Sequence, residues 1–108
     1  MTMQDAEISP GEIDEVLKAL ANPVRREILH LMRAPEQNFP GQEHPYAFGV
    51  CASKIDARFG LSQSTVSAHL AVLQHAGLIT AKRVGQWIFY RRNEPAVAAF
   101  LARIGTSL

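Results

Sequence analysis

The sequence predicts a mainly α-helical fold with one small β-hairpin, and three features carry that expectation. A turn at Gly60-Leu61-Ser62 leads into a helical segment, about Gln63 to His75, with a polar leading edge, and Gly77 stops it. Ile79–Val84 and Trp87–Arg92 are strand-like runs separated by Gly85-Gln86, a pair suited to a two-residue hairpin loop. Apolar residues recur at helical spacing near both ends of the chain. Helix, stop and basic hairpin in this order make a winged helix-turn-helix, with about five helices and two or three strands.

At 108 residues the chain is expected to form one domain, over residues 11–108, preceded by a flexible segment, residues 1–10. That leading segment is polar and acidic, unlike a signal peptide. No apolar run reaches the ~18 residues of a membrane span. The single cysteine allows no internal disulfide, so a reducing, cytoplasmic setting is expected. The net charge of +1 conceals an asymmetry. Residues 1–50 hold 4 Lys/Arg against 8 Asp/Glu, a balance of −4. Residues 51–92 hold 6 Lys/Arg against Asp56 alone, a balance of +5. A basic section in a nearly neutral chain suits a polyanion-binding face, although a solvated surface can look the same.

In chain order, Ile13, Val16, Leu17 and Leu20 fall on one helical stripe, with acids early, where the helix dipole favours them. Asn22-Pro23 is an N-cap followed by a first helical residue. The helix Val24 to Met32 is expected to bury Val24, Ile28, Leu31 and Met32 and to turn Arg25, Arg26 and Arg33 outward. Residues 34–49, with three prolines and two glycines, read as an irregular arm; Phe39, Tyr46 and Phe48 suggest that it packs down. Tyr46 to Val50 is a candidate third strand. Cys51 to Phe59 reads as a short helix burying Ile55 and Phe59, with Gly60 as its C-cap and Ser62 as the next N-cap. Glu94-Pro95 opens a last helix whose stripe is Val97, Phe100, Leu101 and Ile104.

The helices 51–59 and 63–75 have helix-turn-helix spacing, so the second is the candidate reader of double-stranded DNA. Its Val66, Leu70 and Leu73 cluster on one side, with Ser64, Ser67, Ala68, Ala71 and His75 roughly opposite. Small exposed residues let a helix backbone approach closely, as entry into a major groove about 12 Å wide requires. Ser62, Gln63, Ser64, Thr65 and Ser67 lie at or near the leading end and, with Ala68 and His69, are the candidate DNA-binding residues of this helix; Gln pairs with adenine, and hydroxyls serve bases or phosphates. Lys82, Arg83, Gln86, Arg91 and Arg92 on the hairpin, with Lys54, would grip phosphates beside the groove. Trp87, Phe89 and Tyr90 fit sheet packing better than base stacking.

Three blocks together resemble the ArsR–SmtB family of small bacterial winged-helix repressors. They are Leu17-Lys18-Ala19-Leu20-Ala21-Asn22-Pro23-Val24-Arg25-Arg26-Glu27-Ile28-Leu29, then Leu61-Ser62-Gln63-Ser64-Thr65-Val66-Ser67-Ala68-His69-Leu70 with Ala76-Gly77-Leu78-Ile79, and Gly85-Gln86-Trp87-Ile88-Phe89-Tyr90. The likeness spans about residues 13–104. It implies a homodimer joined by the first and last helices, which would use Ile13, Val16, Leu17, Leu20, Val97, Phe100, Leu101 and Ile104. It also implies an inverted-repeat operator and repression by blocking the promoter; the releasing signal is expected to be non-metal or of unknown kind, with a small-molecule inducer as one candidate.

Two departures stand out. Many members carry His where this chain has Ala68, which offers only apolar contact, for example to a thymine methyl. The neighbouring His69 sits at the edge of the buried face, as a packing or phosphate residue. Metal-sensing members use paired cysteines before the reader helix, or His and carboxylate groups on the last helix. Here Cys51 is alone, and Glu94 is the only carboxylate after residue 75. Three or four ligands are needed for zinc or a thiophilic metal, so no metal site and no cofactor are expected. Cys51, at a helix start in a basic neighbourhood, is a candidate sensor of oxidants or electrophiles, against the plainer reading of a core residue. A metal-responsive repressor with an atypical site and a protein-binding winged helix are the alternatives. No phosphate-binding glycine loop or nucleophile elbow argues for an enzyme.

Overall fold

The computed structural model describes residues 8–108. Six helices are α1 (Pro10–Leu20), α2 (Pro23–Leu31), the one-turn α3 (Pro35–Asn38), α4 (Ala52–Phe59), α5 (Gln63–His75) and α6 (Glu94–Ser107). The strands β1 (Val50–Cys51), β2 (Ile79–Val84) and β3 (Trp87–Arg92) form an antiparallel sheet ordered β1-β3-β2. The mainly helical winged helix-turn-helix expected from the sequence is therefore present, with one short extra helix in the arm.

Polar caps set the helix starts. Asn22 Oδ1 accepts the Val24 and Arg25 backbone N–H groups at 2.8 and 3.2 Å, so α2 begins where Pro23 can enter. Ser9 and Glu12 form a reciprocal capping box on α1, 3.2 and 2.9 Å. Arg103 also donates to the Ile8 carbonyl at 2.9 Å. Ile8 and Ser9 are thus hydrogen-bonded to α6 and α1. The expectation of a flexible leading segment falls, for residues 1–7, outside the described residues.

Gly60, at φ +64°, makes the left-handed turn that ends α4, and Ser62 Oγ accepts the Thr65 N–H at 3.2 Å to start α5. The inner side chains of α5, Val66, Leu70 and Leu73, are fully buried with Ile28, Ile55, Leu78 and Ile79. This core holds α5 against α1, α2, α4 and β2. Its outer face is left to solvent.

The arm covers the opposite face of the sheet. Strand pairing sets Cys51 and Lys82 on either side of Phe89, all three on one face. Phe89 is completely buried there, with the His44 and Phe48 rings edge-on at 5.1 and 5.5 Å. Gln42 pins the arm, donating to the His44 and Gly49 carbonyls and accepting the Cys51 N–H at 2.8 Å. Tyr46 donates its hydroxyl to the Phe39 carbonyl at 2.5 Å.

The third strand is shorter than the sequence suggested. Tyr46–Phe48 forms a 3-10 turn, and only Val50 and Cys51 pair with β3. Gly49, at φ +112°, turns the chain between the two, and a Cβ there would lie 2.6 Å from the Tyr90 carbonyl oxygen.

Candidate nucleic-acid interface

The outer face of α5 presents Gln63, Ser64, Ser67, Ala68, Ala71 and His75, all exposed. At its N-terminal end three hydroxyls meet: Ser62 Oγ lies 2.7 Å from Thr65 Oγ1 and 3.3 Å from Ser64 Oγ. Ser62 is engaged as the cap, so its role is to start and hold the helix. Ser64 and Ser67 lie further round, on the solvent side. Free N–H groups of the first turn add a partial positive charge beside these hydroxyls, which suits phosphate.

His69 is half-buried, with Nδ1 3.2 Å from Arg25 Nη1. Arg25 does not look outward as its place on the α2 stripe suggested. Its Nε donates to the Ala19 carbonyl at 2.6 Å and Nη2 to the Lys18 carbonyl at 3.2 Å. Arg26 likewise reaches back, to the Leu20 carbonyl at 2.6 Å. The two guanidinium groups satisfy the carbonyls at the C-terminus of α1, where cations are favoured. Periodicity could not reveal this, because the contact depends on how closely α1 folds back on α2.

The hairpin turns at Gly85-Gln86, with Gly85 at φ +61°. Arg83 and Gln86 are exposed near its tip, and Arg83 Nε donates to the Gly85 carbonyl at 3.3 Å. Lys82 lies on the arm side, its ammonium 4.8 Å from the Phe48 ring centroid. Arg91 is exposed but pairs with Thr80 at the base of the hairpin, beside Arg33 and Tyr46. Arg92 grips Glu94 through Nε at 2.8 Å and Nη2 at 3.1 Å and donates to the Leu29 carbonyl at 3.1 Å. Its hydrogen bonds hold the Glu94 carboxyl below the usual carboxylate range. Arg92 therefore ties the sheet to α2 and α6 and is not a free wing cation. Lys54 is half-buried beside Gln42 and Glu43, under the arm.

Cys51 is 5% exposed, with Sγ 3.3 Å from Ser53 Oγ. The arm brings His44 to the same 190 Å³ cavity, a proximity with no sequence signal, and its ring leans on Trp87 and Phe89. Among the described residues no three His, Cys, Asp or Glu side chains gather with metal-binding geometry. No helix among them is long and apolar enough to cross a membrane.

The residues expected at a dimer contact divide into three groups. Ile13, Val16 and Phe100 are buried within the protomer, because α1 and α6 close over its own core. Leu20, Val97 and Ile104 are half-buried against that core. Leu17 and Leu101 are 47% and 61% exposed.

We expect Arg83→Ala to weaken operator and scrambled duplex by similar factors, and to flatten the salt dependence by about one ion, if the tip grips phosphate. Fluorescence anisotropy at a series of salt concentrations measures both; a loss confined to the operator would mean that the tip reads sequence.

This arrangement is shared with known bacterial regulators. A family model described as bacterial regulatory protein, arsR family, matches residues 50–81, from β1 through the helix-turn-helix into β2. The uncharacterized HTH-type transcriptional regulator YbzH of Bacillus subtilis is 40% identical over 77% of this chain and 85% of its own length. The transcriptional repressor SdpR of the same organism is 31% identical over 75% of this chain and 76% of its own length. The solved structure of an ArsR-like transcriptional regulator from Rhodococcus superposes with a TM-score of 0.65. It is 30% identical, over 88% of this chain and 80% of that one.

Proposed function

The chain belongs to the arsR family of bacterial regulatory proteins, which are DNA-binding transcription regulators and not enzymes; on that premise, we propose that it is a repressor. It would bind an inverted-repeat operator as a homodimer and occlude the promoter beneath it. The observation that carries this reading is the outer face of α5. Its inner side chains are locked in the core, while small residues and hydroxyls project outward over the first turns. Such a face can enter a major groove and present Gln63, Ser64, Thr65, Ser67 and Ala68 to base edges. Arg83, Gln86 and Lys82 would lie along the adjacent backbone, giving affinity more than sequence choice.

The exposed apolar residues of the two terminal helices support a dimer. Leu17 on α1 and Leu101 on α6 leave apolar surface uncovered, whereas Ile13, Val16 and Phe100 on the same helices are used in the core. A twofold pair of reader helices fits half-sites about one helical turn, roughly 34–36 Å, apart. SdpR, by its name, is a repressor, which supports the same sign of regulation here.

Leu101→Glu tests the assembly. We expect it to shift the protein toward monomer in sedimentation velocity and to cost at least about tenfold in operator affinity, because a charge would be buried at the contact. Its fold should persist, since Leu101 packs little within the protomer. A dimer of unchanged strength would place the contact elsewhere. A reporter driven by the bound promoter gives the sign of regulation: expression falls for a repressor, and a rise would make the protein an activator.

A further inference from the structure

We propose that Arg25 is a positioning residue that fixes His69 as the neutral imidazole carrying its proton on Nε2, and that this N–H donates to a DNA backbone phosphate beside α5. The inference rests on the reading of α5 as the DNA-binding face and adds a residue on α2 that never touches the nucleic acid.

The chemistry of the pair fixes the tautomer. A guanidinium has five donors and no acceptor. Arg25 Nη1, 3.2 Å from His69 Nδ1, can only donate to it, so Nδ1 offers its lone pair. A neutral imidazole accepting at Nδ1 carries its hydrogen on Nε2. A flipped ring would set a carbon against Nη1 and leave the donor without an acceptor, so the ring orientation follows as well. The guanidinium itself is anchored, because the Ala19 and Lys18 carbonyls hold its Nε and Nη2 at 2.6 and 3.2 Å.

Nε2 lies on the edge of the ring away from Arg25. His69 is four residues after Thr65 and three before Val72, which places it on the flank of α5 those two share. The residues that face the groove squarely, Ser64, Ala68, Ala71 and His75, lie further round. A helix seated in the major groove has its flanks beside the sugar-phosphate strands, so a donor there meets phosphate before base. Arg25 and Arg26, committed to α1 carbonyls, add positive potential without competing for the contact.

Proton–nitrogen long-range correlation spectra of the full-length chain, with His69→Gln assigning the ring, read the tautomer directly. Protonated Nε2 with bare Nδ1 is expected, and a protonated Nδ1 overturns the proposal. Arg25→Lys, which keeps the charge but loses the fork, should release the ring into a mixture of tautomers; a ring still locked on Nε2 would mean that Arg25 does not fix it.

Anisotropy on a duplex from upstream of the gene and on a scrambled duplex reads the phosphate contact. His69→Gln sets an amide N–H near the Nε2 position and should stay within about twofold of wild type. His69→Asn sets its amide near Nδ1 and should weaken both duplexes by about threefold to tenfold, the value of one hydrogen bond. The salt dependence should not change, because no charge is removed. Wild-type affinity in the Asn variant, or a loss confined to one sequence, overturns the phosphate role. If the wild-type protein binds neither duplex while His69 is held on Nε2, the DNA-binding reading fails and the Arg25–His69 lock stands.

Discussion

Ser64→Glu is expected to lower operator affinity by about a hundredfold or more while leaving the fold as stable as before. The two effects separate because of where Ser64 sits. It occupies the first turn of α5, exposed to solvent, where a carboxylate is favoured by the helix dipole. The domain should therefore keep its melting temperature or gain slightly, by about 0.3–1 kcal/mol. On DNA the same carboxylate would push into a groove lined by phosphates, with a longer side chain in the place of a small one. Ser64→Ala separates bulk and charge from the hydroxyl itself and should cost only one hydrogen bond, about 0.5–1.5 kcal/mol. Circular dichroism melting and anisotropy on the same samples measure both halves. Retained affinity in the Glu variant would mean that another surface reads the DNA.

Phe89→Ala should be the most destabilising single change in the wing. Phe89 is completely buried between the sheet and the arm, with His44 and Phe48 on its ring. Truncating a buried Phe costs about 3–5 kcal/mol, which is a large part of the ~5–15 kcal/mol that holds a domain together. The arm loses the ring on which it rests, so His44 should leave Trp87, 5.4 Å away. Chemical denaturation followed by Trp87 fluorescence reports the loss, and a change below ~1 kcal/mol would mean that the arm is held by Gln42 and Tyr46 instead. The variant also exposes Cys51, its partner across β1 and β3. Faster alkylation of that thiol than in wild type would locate the arm as its cover.

The parts of the fold that were legible in the sequence are those governed by local chemistry. Asn22-Pro23, Gly60, Ser62, Gly77 and Gly85-Gln86 each mark a boundary through a cap or a turn, and each boundary is where they put it. Helix α5 was legible for the same reason, since Val66, Leu70 and Leu73 can share only one face. What escaped was set by tertiary contact. Arg25 and Arg92 looked like surface cations, but each reaches a carbonyl or a partner on another element. His44 and Cys51 line one cavity only because the arm, which has no periodic pattern, folds across the sheet. The apolar stripes of α1 and α6 were visible, but how they divide between core and surface was not. Ile13, Val16 and Phe100 face inward, and Leu17 and Leu101 do not.

Binding of the purified protein to duplex from upstream of its own gene, beside a scrambled duplex of equal length, decides whether α5 carries an operator-reading surface. Anisotropy at two salt concentrations suffices. Tight, salt-sensitive binding that prefers the upstream duplex and saturates at two subunits per site is the expected result. Equal, weak binding to both duplexes would contradict that surface as a reader of this DNA, and no binding to either at low salt would contradict α5 as a nucleic-acid interface.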